Sequence, residues 1–124
     1  MNKETMKPTV YWISTLLAAG LLFFGGILFI MQGEHQVEEM KHLGYPIYIL
    51  PFLGIGRILG SIAIVIPRFP RLKEWAYAGL VFDLIGASAS HAYAGDSLLE
   101  IAFPLVFLGL IILSWVLRPP SRKL

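Results

Sequence analysis

The sequence predicts an all-α fold, a four-transmembrane-helix bundle, N-in/C-in, with a short extracytoplasmic amphipathic segment between its first two spans. Three observations predict it. Four apolar runs each approach the roughly 20 residues needed to cross the hydrocarbon core. Eight of the ten Lys and Arg residues fall on one side of the implied topology and one on the other, so both termini are placed in the cytoplasm. The tenth, Arg57, lies inside the second run at nearly the depth of Asp83 in the third.

Composition agrees. Apolar residues make up 56% of the 124-residue chain, against about 45–50% in globular domains. A formal charge of +2, without any RNA- or DNA-binding motif, points to no nucleic-acid partner. The chain has no cysteine, which excludes a disulfide framework, a thiol relay, a CxxC pair and thiolate-held iron–sulfur clusters.

The first span is Val10–Met31 and carries no ionisable group. Lys3 and Lys7 precede it, as in a signal peptide, but a cleavable apolar region is only about 7–15 residues long. The run is therefore expected to be a retained helix. Gln32–Gly44 follows as a polar stretch, able to form a short amphipathic helix with Val37, Met40 and Leu43 or Gly44 toward the membrane. His35, Glu39 and His42 fall at i, i+4 and i+7, a spacing that can hold a divalent ion. These groups look solvated, and the expectation is no metal.

The second span, Pro46–Ile66, contains Pro51 and the pattern Gly56-x-x-x-Gly60 of close helix contacts. The basic connection Pro67–Glu74 reads as an orientation signal and an anionic-lipid contact. Trp75–Ala94 is the third span. After the turn Gly95-Asp96-Ser97, the fourth runs from Leu98 to Leu117 and contains Pro104. Both prolines are expected to kink their helices. Ser97-x-x-Glu100 reads as a capping box. Trp12, Trp75, Tyr77, Tyr93 and Trp115 lie near span ends, as interfacial belts do. The tail from Arg118 is too short and polar to fold. Residues 1–124 read as one integral membrane domain.

Counted from Ile66 and Trp75, Arg57 and Asp83 lie about 13.5 Å and 12 Å deep at 1.5 Å per residue. A charge at the bilayer centre costs roughly 2.5–3.5 kcal/mol, so the two are expected to pair. Gly54, Arg57, Gly60 and Ser61 share one face of the second span. Gly79, Asp83, Gly86, Ala87 and Ser90 share one face of the third. Three readings stay open, one of them that these charges pair with another chain. The pair serves packing alone, or Arg57 binds an anionic or quinone-like head group while Asp83 holds its side chain or relays a proton. His91, with Ser88, Ser90, Asp96 and Glu100 nearby, forms a second polar group in which a neutral imidazole between carboxylates could shuttle protons. The binding candidates are Arg57, Asp83, Ser90, His91 and Glu100; no catalytic set is evident, so the chain is not expected to be an enzyme on its own.

Several segments resemble the DoxX-like family. They are Leu43-Gly44-Tyr45-Pro46, Pro51, and Leu53-Gly54-Ile55-Gly56-Arg57-Ile58-Leu59-Gly60. Pro67 with Leu72-Lys73-Glu74-Trp75-Ala76-Tyr77-Ala78-Gly79 continues the pattern. Phe82-Asp83-Leu84, Gly86-Ala87, Ser90-His91, Gly95-Asp96 and Pro104 complete it. The resemblance implies a bacterial plasma-membrane protein of four helices, in a family where Lys often replaces Arg57. It also implies an accessory or quinone- or lipid-binding subunit beside a membrane oxidoreductase, with quinone as the cofactor class. The alternatives are a small proton-coupled transporter and a structural assembly factor, and a homo-oligomer is compatible with all three. Small multidrug exporters need a carboxylate in their first helix, which this chain lacks.

Overall fold

A computed structural model describes residues 3–123, Lys3 by its backbone alone, so the Lys3 charge counted above lies outside the described side chains. The described residues form α1 (Lys3–Ile30), α2 (Glu34–Leu43), α3 (Ile49–Val65), α4 (Pro70–Tyr93), α5 (Leu98–Val116) and a 3-10 turn, Pro120–Arg122, with no strand among them. The four long helices form a ring in which α1 packs on α3 and α5, and α4 packs on α3 and α5. α2 stands at the end of the ring where α4 turns into α5, with His42 2.6 Å from Asp96.

α1 and α5 are long and apolar enough to cross a membrane; α3 is apolar but only 17 residues long. Only 17% of the most apolar stretch of α5 is buried within the protein. A helix hydrophobic all round needs an apolar environment on its outer face too. Phe24, Leu59, Phe82, Phe103 and Val106 face outward from the four long helices.

Close approach of α1 to α3 depends on two glycines. A Cβ on Gly54 would lie 2.6 Å from the Gly26 carbonyl oxygen, and one on Gly26 would lie 2.8 Å from that of Gly54. Gly54 therefore serves the α1 contact rather than the expected α3–α4 face, and Gly26 had no signal beyond being small. Gly60 does meet α4, where a Cβ would come 3.2 Å from Leu80. A Cβ on Gly79 or Gly86 would meet nothing within 4 Å, so neither is a close helix contact within this chain.

The core gathers Ala18, Ala19 and Leu22 of α1, Ile64 of α3, Tyr77, Leu80 and Leu84 of α4, and Ile111 of α5. Tyr77 is thus buried rather than interfacial. Its hydroxyl lies 2.8 Å from Ser114 Oγ, which also bonds Thr15, tying α4, α5 and α1 together. In a water-poor interior each hydroxyl needs such a partner.

The carboxyl end of α3 leaves carbonyls unpaired, as every helix does, and two cations meet them. Lys73 is buried and donates through Nζ to the carbonyls of Ala63 (3.0 Å), Ile66 and Arg68 (2.7 Å). Arg122 donates through Nη2 to the carbonyls of Ile64 (3.2 Å), Val65 and Ile66 (2.7 Å), with its guanidinium 4.9 Å from the Trp12 ring. Positive charge at a helix carboxyl end also opposes the macrodipole. Contrary to the sequence expectation, the tail folds, because its arginine finds these acceptors. Lys73 likewise is no free lipid contact. We predict that Arg122→Ala lowers stability by about 2 kcal/mol, the scale of a charged donor lost from buried acceptors. Denaturant unfolding in micelles measures it, and an unchanged midpoint would mean the tail is ornamental.

Three further expectations are corrected. Pro51 is the third residue of α3, where no intrahelical partner exists for its missing N–H, so it breaks nothing. Pro104 does sit inside α5 and cannot bond the Glu100 carbonyl. One residue on, the Ile101 carbonyl accepts from Ser88 Oγ at 2.8 Å. Ser88 thus braces α5 instead of joining the polar group around His91. Met40 packs inward rather than toward a membrane.

Candidate functional site

The structure separates the candidate residues into two sites on α4, eight residues or about 12 Å apart along the axis. The inner site joins Arg57 and Asp83. Arg57 Nε donates to Asp83 Oδ2 at 2.7 Å and Nη2 to Oδ1 at 3.0 Å. This two-pronged geometry is the strongest an arginine and a carboxylate form. The side chains are 14% and 15% exposed. On the other side, the guanidinium carbon sits 4.3 Å from the Phe29 ring centroid, a cation–π contact. Gly25 lies alongside, and a Cβ there would meet Nη1 at 3.8 Å, an ordinary contact. Ser61 Oγ donates to the Arg57 carbonyl at 2.6 Å.

Beside the pair, a groove of about 350 Å³ opens between α3 and α4, lined among others by Phe52, Gly56, Arg57, Trp75, Gly79 and Asp83. That volume lies in the range of small-molecule sites. Gly56 and Gly79 shape it by absence, since a Cβ on either would project into open space. The groove is otherwise apolar, with the ion pair as its charged element. Among the described side chains, Arg57 Nη1 has no hydrogen-bond acceptor, so the guanidinium keeps donor capacity.

The outer site lies where α2, the end of α4 and the start of α5 meet. His91 Nδ1 is 2.6 Å from Asp96 Oδ2, and its Nε2 is 3.1 Å from Glu39 Oε1. His42 Nε2 is 2.6 Å from Asp96 Oδ1. Glu100 Oε2 stands 4.0 Å from His91 Nδ1. The turn is set by Gly95, whose φ of +78° is costly for any residue with a Cβ. Ser97 caps α5 by accepting from the Glu100 N–H at 3.4 Å.

Two hydrogen-bonding imidazoles, His91 first and then His42, hold the Asp96 carboxyl below the usual carboxylate range. The hydrogen bond to Asp96, followed by its charge, raises His42 above the usual 6.5. Ser90 stands slightly apart. Its Oγ donates to the Gly86 carbonyl at 2.7 Å, so Tyr45 must donate the 2.5 Å bond between the two hydroxyls.

The helical spacing of His35, Glu39 and His42 does not converge on one point. His35 Nε2 is 3.9 Å from Glu39 and its side chain 84% exposed, while His42 turns to Asp96. Glu39 instead joins His91 and His42 joins Asp96, partners some fifty residues away that no local pattern announces. Phe29 and Gly25 were equally silent, being an aromatic and a glycine among many in an apolar helix.

These features define an all-α protein whose apolar helices suit a membrane and carry two polar sites. The chain belongs to the DoxX-like family, whose model matches residues 13–114. It is similar to the uncharacterized protein YdgD of Bacillus subtilis (strain 168), 32% identical over 84 residues, covering 65% of this chain and 73% of that protein. No solved structure matches.

Proposed function

We propose that α1, α3, α4 and α5 all cross the plasma membrane with both termini cytoplasmic. In this reading the chain is an accessory subunit of a membrane redox system, holding a quinone head group at Arg57. The charge bias supports the topology, for without the buried Lys73 and Arg122 it is still six against one. α3 alone spans about 25 Å at 1.5 Å per residue, and the turn at Pro46–Tyr48 extends it.

The observation that carries the binding reading is the fixed guanidinium beside an apolar lateral groove. Asp83 and Phe29 restrain the side chain, while Nη1 is free to donate to a carbonyl or anionic oxygen. The isoprenoid tail would lie along Phe52 and Leu72, both exposed outward. A pre-positioned donor loses little entropy on binding.

Trp75 lines the groove, and quinones quench indole fluorescence. Protein in phosphatidylcholine nanodiscs, titrated with a short-chain quinone, should show saturable quenching that Trp75→Phe removes. Gly79→Leu, which fills the groove without removing either member of the ion pair, should weaken binding at least about tenfold. Quenching that is linear, or unchanged by Gly79→Leu, would overturn the quinone reading. Competition by phosphatidylglycerol alone would make an anionic lipid the occupant instead.

A further inference from the structure

The outer site contains a donor arrangement that proton relay or capping does not account for. His91 Nδ1, a carboxylate oxygen of Asp96 and one of Glu100 all lie within 4.8 Å of one another. They come from α4, from the turn and from α5. Glu39, on α2, stands 3.1 Å from His91 Nε2. Both ring nitrogens thus face carboxylates, and a carboxylate only accepts. Nδ1 donates the 2.6 Å hydrogen bond to Asp96 Oδ2, with Glu100 on the same side. A divalent ion that displaces the Nδ1 proton would find one ring nitrogen and two carboxylate oxygens converging on it.

We propose that His91, Asp96 and Glu100 bind a borderline divalent first-row cation, Zn²⁺ or a neighbour such as Mn²⁺, at the α2 end of the bundle. One imidazole nitrogen and two carboxylate oxygens form the donor class such ions accept. Glu39 is the orienting partner. A carboxylate on the far nitrogen fixes the tautomer of a ligating histidine and raises its basicity. His42, at the other Asp96 oxygen, orients that carboxylate in the same way. Three carboxylates gather on one imidazole here, and a dication offsets that charge better than a single proton. The first ligands differ in access: the His91 and Asp96 side chains are 13% and 9% exposed, that of Glu100 55%. The shielded pair gives a preformed seat, and the open side leaves positions for water or an exogenous ligand. This site is independent of the groove at Arg57.

The test uses full-length protein in nanodiscs, stripped with EDTA, dialysed and titrated with Zn²⁺ by calorimetry, then measured by zinc-edge X-ray absorption. One ion per chain is expected, with a nitrogen and oxygen shell that includes a single imidazole. His91→Gln and Asp96→Asn should each weaken binding at least about a hundredfold, and Glu39→Gln about tenfold. Glu100→Gln changes an exposed side chain that supports no packing, so its loss of affinity reports on ligation even if His91→Gln unfolds. His35→Ala should bind as wild type. Binding that survives both Glu100→Gln and Asp96→Asn, or that follows His35 instead, overturns the site, as does no stoichiometric uptake by the folded protein.

Discussion

Arg57→Met should destabilise the protein by about 3–5 kcal/mol, the usual cost of stranding one member of a buried ion pair. The substitution keeps much of the side-chain length but leaves the Asp83 carboxylate, 15% exposed, facing apolar helices with no guanidinium. It also removes the contact to Phe29. Asp83→Leu should cost a similar amount by stranding the cation. The double variant, Arg57→Met with Asp83→Leu, should recover most of the loss, since an apolar pair of similar volume needs no desolvation. Unfolding of all four proteins in mixed micelles gives the coupling energy directly. Equal stability of the single variants and the wild type would remove the pair from the account of the fold. The double variant also divides structure from function. If it stays folded and no longer quenches with quinone, the charge serves binding; if it still binds, Arg57 is only a packing device.

Gly54→Val should be about as damaging. Its Cβ would stand 2.6 Å from the Gly26 carbonyl oxygen and 2.8 Å from Ile30 Cγ1. The oxygen belongs to a helix backbone and cannot swing aside, so α1 and α3 must separate. Overpacking of this kind costs about 1–3 kcal/mol where side chains can yield, and a backbone obstacle puts the effect at or above that limit. The separation would also carry Phe29 and Gly25 away from Arg57, so quinone affinity should fall along with stability. Gly86→Ala is the matched control. It adds a methyl group where nothing lies within 4 Å and should be neutral or stabilising by up to about 1 kcal/mol, because alanine suits a helix interior better than glycine. If Gly54→Val unfolds at the wild-type denaturant concentration, the close α1–α3 crossing is wrong.

The two glycines show how far local pattern carries. Gly54 and Gly86 look alike in sequence, each three residues from a charge on the same helix face. One touches a backbone and the other touches nothing, and the difference is the partner helix, which no spacing rule names. The Arg57–Asp83 pair was legible because a short connection makes α3 and α4 neighbours and both charges sit at one depth. The approach of His91 to Asp96 was legible for the same reason, five residues apart around a turn.

Glu39 and His42 were noticed with the wrong partner. Helical spacing aligned them with His35, and α2 instead presents them to α4 and the turn. Lys73 and Arg122 looked like surface charge beside basic neighbours. Each is in fact drawn inward by the unpaired carbonyls at the carboxyl end of α3, an attraction visible only once that end is located.

By itself the sequence determined the all-α class, the places of the four long helices, the turn after α4 and the meeting of one arginine with one aspartate. Those follow from periodicity, apolar length and the cost of an unpaired charge, all of which act within a segment or between neighbours along the chain. Tertiary structure alone decided which glycines let helices touch, which cations cap α3, and that α2 brings Glu39 to His91 and His42 to Asp96. Such contacts join residues tens of positions apart, where any of several partners would satisfy the same local chemistry and only the packed arrangement selects one.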